Sequence, residues 1–434
     1  MESIKIQKYA AYKDSGIEWL GEIPEHWEVR RIKHLFNEIN ERSVNGNEEL
    51  LSVSQYTGVT KKSDKTDVGE LLTTASTLEG YKKVYKGDLV SNIMLAWNGS
   101  LGFSPFDGIT SPAYSTYRLL GENDKRYFHY LLRTELYKAE FKRNSSGVIE
   151  SRLRLYTDDF FRIISLLPPI PEQTAIAEFL DDKTTLIDQA VGIEEKQIEL
   201  LKERRQILIH RAVTRGINPN VKLKESGVEW IGEIPEHWEV KRLKYLGRIR
   251  YGLGQPPKEK ENGLPLIRAT NVERGKIVEK DLVFVDPEDI PWERDPELKE
   301  NDIIVVRSGA YTADSAIIPK KYAGSIAGYD MVFTPHTINP LFMSFALLAK
   351  YILFDQLYLL RMRAAQPHLN AEELGDTLVL CPPDEEQFFI AKYIEDLSNK
   401  IATAISLKQQ EIEKLKEYKA SLINEVVTGK IKVG

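Results

Sequence analysis

Cysteine is nearly absent from this 434-residue chain: Cys381 stands alone. One thiol excludes an intramolecular disulfide and most zinc modules, a usage that fits a reducing cytoplasm. Long apolar runs are missing too. No stretch approaches the roughly 18 uninterrupted apolar residues of a membrane span, and the N-terminal MESIKIQKYA lacks the apolar core of a signal peptide. Nor is charge of one sign in excess: 59 Lys and Arg stand against 65 Asp and Glu, a net charge of −6. That balance argues against a basic wrapper for nucleic acid, while leaving room for a local basic face. The expectation is a soluble, intracellular chain, whose 42% hydrophobic and 29% charged content is that of globular domains.

Catalytic motifs are missing as well. There is no GxxxxGK[ST] phosphate loop, and Gly252-Leu253-Gly254 runs into Gln255-Pro256-Pro257 instead of a helix, so it is no dinucleotide fingerprint. HExxH and cysteine clusters are absent, which leaves no metal motif. The Asn/Asp-Pro-Pro-aromatic signature of amino-methyltransferases is absent too. Glu-x-Lys triplets such as Glu239-Val240-Lys241 resemble fragments of nuclease sites, but a chain this charged produces them by chance. Glu25-His26 and Glu236-His237 have neither a second ligand at metal spacing nor a nucleophile, so they read as structural. The chain reads as non-catalytic.

What is present is a duplication. Lys13–Leu35 (KDSGIEWLGEIPEHWEVRRIKHL) returns as Lys224–Leu246 (KESGVEWIGEIPEHWEVKRLKYL), identical at 17 of 23 positions and offset by 211 residues (226 − 15 for the matched serines). Pro168-Pro169-Ile170-Pro171-Glu172-Gln173 returns as Pro382-Pro383-Asp384-Glu385-Glu386-Gln387, now offset by 214 (387 − 173). A period near half the chain means a duplicated domain rather than a solenoid.

Between these matching parts the middles have drifted. In the first, Leu50–Ser54, Lys83–Tyr85, Asp88–Val90 and Tyr114–Leu119 read as strands, and Tyr127–Phe141 as one helix. The second repeats the order with Leu266–Arg268, Asp302–Arg307, Tyr329–Phe333 and a helix over about Asn339–Leu360. Each unit then enters a long helix without internal proline, about 171–215 and 384–428. Ile187, Val191, Glu194, Ile198 and Leu201 lie on one stripe of the first helix; Ile401, Ile405, Lys408, Ile412 and Leu415 occupy the equivalent stripe of the second. Steps of three and four residues, with one four-four step, make a heptad-like seam. A rod of roughly 65 Å with one apolar face needs a partner, and its own copy supplies one. In an antiparallel pair, the equivalent and oppositely charged Glu194 and Lys408 are expected to meet near the centre.

The drifted middles hold basic, amide and aromatic residues in loops. The first has Gln55, Tyr56, Lys61, Lys62, Asn92, Trp97, Asn98, Arg152 and Arg154. The second has Arg250, Tyr251, Arg268, Asn271, Arg307, Ser308, Tyr311, Arg361, Arg363, Gln366 and His368. Arginine binds guanine bidentately, asparagine or glutamine does the same for adenine, and lysine tracks phosphate. Divergent loops on a duplicated scaffold predict two different specificities. A coiled-coil scaffold with two protein-binding heads is the alternative.

On Gly16–Trp27 and Gly227–Trp238, Gly87-Asp88-Leu89-Val90 and Asn301-Asp302-Ile303-Ile304, and the two Pro-Pro…Glu-Gln motifs, the sequence closely resembles the specificity subunit of Type I restriction-modification enzymes. The resemblance spans essentially the whole chain, with Asp384 departing from the usual apolar or proline position. It implies an α+β fold with two pseudo-symmetric target-recognition domains, each followed by a long helix, the helices forming an antiparallel coiled coil. The implied boundaries are 1–167 for the first domain, 168–217 for the central helix, 218–381 for the second domain and 382–434 for the last helix. It also implies double-stranded DNA as ligand, and as partners two methyltransferase subunits and translocating restriction subunits, with no membrane. S-adenosylmethionine, ATP and Mg are then expected on those partners, and no cofactor on this chain.

Overall fold

The duplicated opening folds the same way twice. Gly16 and Gly21 take φ of 73° and 64°, and Gly227 and Gly232 take 74° and 70°, a left-handed backbone that glycine adopts without steric cost. The chain thereby turns back on itself, so that Tyr12–Asp14 pairs antiparallel with Glu22–Pro24, and Leu223–Glu225 with Glu233–Pro235. The strand that follows pairs with the last strand before the long helix: Glu28–Arg31 with Ile164–Leu167, and Glu239–Arg242 with Leu378–Cys381. Beginning and end of each repeat are stitched together, with the drifted middle between them.

The computed structural model describes residues 7–65, 77–361 and 367–433. The chain divides into two units, Met1–Glu194 with Gln410–Gly434, and Glu195–Gln409. The first unit holds a four-stranded antiparallel sheet of β1 (Phe36–Ile39), β2 (Leu89–Asn92), β3 (Leu101–Phe103) and β4 (Tyr114–Leu119), in the order β1-β4-β2-β3. The second holds β5 (Gly247–Tyr251), β6 (Ile303–Val305), β7 (Ser315–Ile317) and β8 (Met331–Pro335), in the equivalent order β5-β8-β6-β7. Before β2 and β6 the chain turns at Gly87 (φ 92°) and Asn301 (φ 72°), then presents a buried aspartate, Asp88 or Asp302. Each carboxylate holds an arginine of the same sheet: Asp88 binds Arg118 of the adjacent β4 at 2.9 and 3.1 Å, and Asp302 binds Arg250 of β5, on the far side of β8, at 2.9 Å.

Two expected helices are broken. Tyr127–Phe141 is not continuous: one helix runs Lys125–Leu131 and the next Glu135–Asn144, because Thr134 adopts an extended backbone and its hydroxyl accepts the Tyr137 N–H. Asn339–Leu360 breaks at Ala349, whose ψ of 151° ends Pro340–Leu348; a short turn and a π-helical stretch, Leu353–Leu357, follow. The strand expected at Leu266–Arg268 is the end of a longer one, Glu259–Ile267, and that at Asp302–Arg307 shortens to β6.

The long helices are α1, Ile170–Arg215, and α2, Asp384–Val427. Ile187 and Ile198 of α1, and Ile401 and Ile412 of α2, are buried; Val191, Glu194, Leu201, Ile405, Lys408 and Leu415 are half-buried. The ends of both helices pack into the globular cores. In the first unit Ile176, Leu180 and Ile187 share a core with Leu422 and Val426, and Lys419 Nζ lies 2.7 Å from Asp188. In the second, Ile209, Ala212 and Val213 share a core with Ile390 and Ile394.

Among the described residues no single helix is long and apolar enough to cross a membrane. The bent pair Pro340–Leu348 and Lys350–Leu360 is apolar enough, but Phe342, Met343, Leu347, Ile352 and Leu357 are packed in the core of the second unit.

Candidate nucleic-acid interface

The recurring motifs build the frame that carries the loops. Trp27 and Trp238 are fully buried, and the histidine before each reaches the first turn of a long helix. His26 Nε2 lies 2.8 Å from Glu172 Oε2, and His237 Nε2 lies 2.7 Å from Glu386 Oε2. The neighbouring glutamine is a clamp. Gln173 Nε2 donates to Pro168 O and its Oε1 accepts from Asp124 N–H; Gln387 Nε2 donates to Pro382 O and its Oε1 accepts from Asn339 N–H, all between 2.7 and 3.0 Å. Asp124 and Asn339 in turn cap the helices Lys125–Leu131 and Pro340–Leu348. The Pro-Pro…Glu-Gln motif therefore ties the opening repeat, the helix cap and the long helix together in both units.

On that frame the second unit brings several candidates into one place. Tyr251 ends β5, Arg307 follows β6 and Tyr329 precedes β8. The Arg307 guanidinium lies over both rings, 4.6 Å from the Tyr251 centroid and 4.2 Å from that of Tyr329. The Tyr251 hydroxyl accepts from Ala371 N–H at 2.8 Å, which fixes its ring. Arg307 N–H donates to Asp330 Oδ1 at 3.2 Å. Burial pushes the Asp330 carboxyl up to about 6, against the opposing pull of the Arg307 N–H and charge. Beside this group lies a cleft of about 360 Å³ lined by Gln255, Arg268, Ser308, Tyr329 and Asp330 among others. Arg268 Nη2 donates to Asp281 O at 2.6 Å, and Ser308 is bridged through its backbone to His368. Tyr311 is exposed nearby in sequence. Tyr329, Asp330 and Gln255 escape a reading of the sequence; Tyr329 there looks like the first residue of a strand.

The first unit spreads its candidates over separate loops. Gln55 and Tyr56 form the tip of a hairpin between Leu51–Ser54 and Gly58–Lys61, with the Tyr56 side chain 84% exposed. Arg133 braces that tip, donating to Gln55 O at 2.5 Å and to Leu101 O at 2.7 Å. Beside it His129 is driven down to about 4 by burial and by the Arg133 charge, and stays neutral. Lys61 lies over the Phe106 ring, and Lys62 follows half-buried. Trp97 donates to Met94 O at 3.1 Å with the Lys142 ammonium over its ring, and Asn98 Oδ1 accepts from the Ser100 hydroxyl. Lys142 also pairs with Glu150, at the start of the loop that carries exposed Arg152. Arg154 closes that loop by backbone pairing with Ser146.

Three candidates are corrected. Arg250 is buried and engaged by Asp302, the Thr334 hydroxyl and the carbonyls of Asp295 and Glu297. Asn271 is fully buried, accepting from Arg268 N–H and donating to Val278 O and Lys280 O. Asn92 is buried in β2 with its Oδ1 accepting from Met94 N–H. Each spends these polar groups on partners inside the fold. Arg363 and Gln366, and the side chain of Arg361, lie outside the described residues. Among the described residues no group of three or more His, Cys, Asp or Glu is placed to hold a metal ion.

A family model described as the Type I restriction modification DNA specificity domain matches residues 24–203 and again 235–417. The chain is 26% identical over 436 residues to the Type I restriction enzyme MjaVIII specificity subunit of Methanocaldococcus jannaschii, covering 95% of this chain and 94% of that protein. It is 22% identical over 280 residues to the EcoKI specificity subunit of Escherichia coli K12, covering 62% of this chain and 58% of that one. Among solved structures, one described under "Structural basis underlying complex assembly and conformational transition of the type I R-M system" has a TM-score of 0.69 at 14% identity, over 93% of this chain and 98% of that chain. The HsdS subunit from Thermoanaerobacter tengcongensis has a TM-score of 0.53 at 14% identity, over 94% and 98%. Those two likenesses show the fold. With the family model matched over both repeats, the chain belongs to the Type I restriction-modification DNA specificity family, and its two units carry the two sequence-recognition domains.

Proposed function

We propose that each recognition domain reads one half of an asymmetric bipartite DNA site, and that the chain itself supplies no active site. The observation that carries this reading is the contrast between frame and loops. His–Glu, Gln–Pro and buried tryptophan contacts recur in both units. The polar and aromatic groups mounted on them differ: a Tyr251–Arg307–Tyr329 group in one, a braced hairpin tip and a Trp97–Lys142 stack in the other. Identical readers impose a symmetric site; unlike readers do not.

The two long helices, in this reading, run antiparallel as a coiled coil and set the gap between half-sites. Support comes from the sharing of each unit's core between the start of one helix and the end of the other. The helices also dock two methyltransferase subunits, with restriction subunits joining them. Leu186, Ile193, Leu200 and Ile207 of α1 support this: they recur every seventh residue on the face away from the seam and are 51–58% exposed, an apolar stripe that invites a partner. S-adenosylmethionine serves methylation on the partner subunits, which also use ATP and Mg, in the cytoplasm where the DNA lies.

The test exchanges residues 36–167 for the same region of another family member, within the assembled complex. One half-site is expected to change and the other to stay. A change in both half-sites, or in neither, contradicts separate readers.

A further inference from the structure

Several arginines around the second sheet are held by carboxylates. Arg242 binds Asp376, Arg248 binds Asp295 and Arg250 binds Asp302. Arg307 is different. Among the described residues its guanidinium makes no ion pair and no hydrogen bond, its Nε is buried without a partner, and its Cζ lies over two tyrosine rings. Leaving a buried donor unmet is costly unless a ligand meets it. The carboxylate close by does not neutralise the cation through an ion pair: Asp330 receives the Arg307 backbone N–H instead.

Such an arginine is held by two rings and by no carboxylate. Contact with two tyrosine rings restricts the guanidinium, and the Tyr251 ring is itself anchored through Ala371 N–H. The fork is thereby confined, without a hydrogen-bond partner among the described residues, and its neighbours Ser308 and Tyr329 line a cleft together with Gln255 and Arg268. Resting on the DNA reading above, we propose that Arg307 is the guanine-reading residue of the second recognition domain. Its fork meets the O6 and N7 acceptors of one guanine in the major groove, and Tyr251 and Tyr329 are the positioning residues that aim it. A phosphate offers a similar pair of acceptors, and the two ligands are separable because only the base carries sequence.

The experiment is selection of bound duplexes from a randomised pool by the full chain in complex with its methyltransferase subunits, for the unaltered chain, Arg307→Lys and Tyr329→Ala. Arg307→Lys keeps the charge and loses the fork. Preference for guanine at one position of one half-site is expected to fall by about 5- to 150-fold, the discrimination that a bidentate arginine contact provides, with the other half-site unchanged. Tyr329→Ala is expected to weaken the same position and no other. Equal melting temperatures show that the variants are folded, and Tyr329→Phe, which keeps the ring, restores the preference. Retention of every position by Arg307→Lys, with binding either unchanged or weakened equally for all sequences at an unchanged salt dependence, leaves no base contact to the fork and overturns the inference. If the unaltered complex selects no two-part site, the proposed function itself fails, and that result is distinct from a variant that leaves the motif intact.

Discussion

Glu386 Oε2 accepts two donors at once, Trp238 Nε1–H at 3.1 Å and the His237 ring nitrogen at 2.7 Å. One carboxylate oxygen thus secures a fully buried indole and the duplicated histidine to the first turn of α2. Glu386→Ala leaves the indole N–H buried without an acceptor, and the expected loss is about 1–3 kcal/mol of stability in the second unit. Denaturant unfolding measures it. A variant as stable as the parent contradicts the assigned role.

Asp330 makes stability depend on pH with an unusual sign. Its native carboxyl titrates at about 6, above the 3.8 of a free aspartate, so between those values the native state binds more protons than the unfolded one. Stability is expected to fall as pH rises across that window, by on the order of 2–3 kcal/mol, and this contribution is flat above it. Asp330→Asn keeps an acceptor for the Arg307 N–H and removes the slope. Unfolding free energies of parent and variant between pH 4 and 7 decide the matter; parallel curves sink it.

Arg250 is expected to matter for folding. Its guanidinium is engaged in four hydrogen bonds, one of them to the buried Asp302. Arg250→Ala leaves that buried carboxylate without its counter-ion, and a loss of about 3–5 kcal/mol follows. Tyr311→Ala, at an exposed side chain, is expected to leave stability within about 0.5 kcal/mol. Thermal melts that reverse this order contradict a structural role for Arg250.

The repeats, the long helices and the sheet strands nearest the signature motifs are legible in the sequence because each rests on local pattern. The work of His237 and Glu386 is not, since they lie 149 residues apart and only the fold joins them. Arg250 and Arg307 look alike on paper, both basic and both next to a loop. What separates them is whether an aspartate or a pair of tyrosines surrounds the guanidinium, and that depends on three distant strands. The break at Thr134 does have a local sign: a threonine followed by Glu135 is a helix start, outweighed in the sequence by the apolar periodicity on either side.

The helices as a ruler make a length prediction. Four residues inserted after Leu201 lengthen α1 by about 6 Å. With DNA rising about 3.4 Å per base pair, the gap between half-sites is expected to grow by roughly one or two base pairs while both half-sites keep their sequences. One inserted residue instead rotates the following stripe by about 100°, carrying Ile209 and Ala212 out of the core they share with Ile390 and Ile394. It is expected to impair folding. Site mapping for the two insertions checks both statements, and an unchanged gap in an active four-residue variant removes the helices as the ruler.

Two unlike recognition domains on one duplicated frame are the centre of the account, and a map of methylated adenines in the genome of a host carrying this chain and its methyltransferase subunits tests them together. The predicted motif is bipartite, with two short half-sites of different sequence separated by a fixed unspecified gap. A palindromic motif, or a single uninterrupted one, contradicts it.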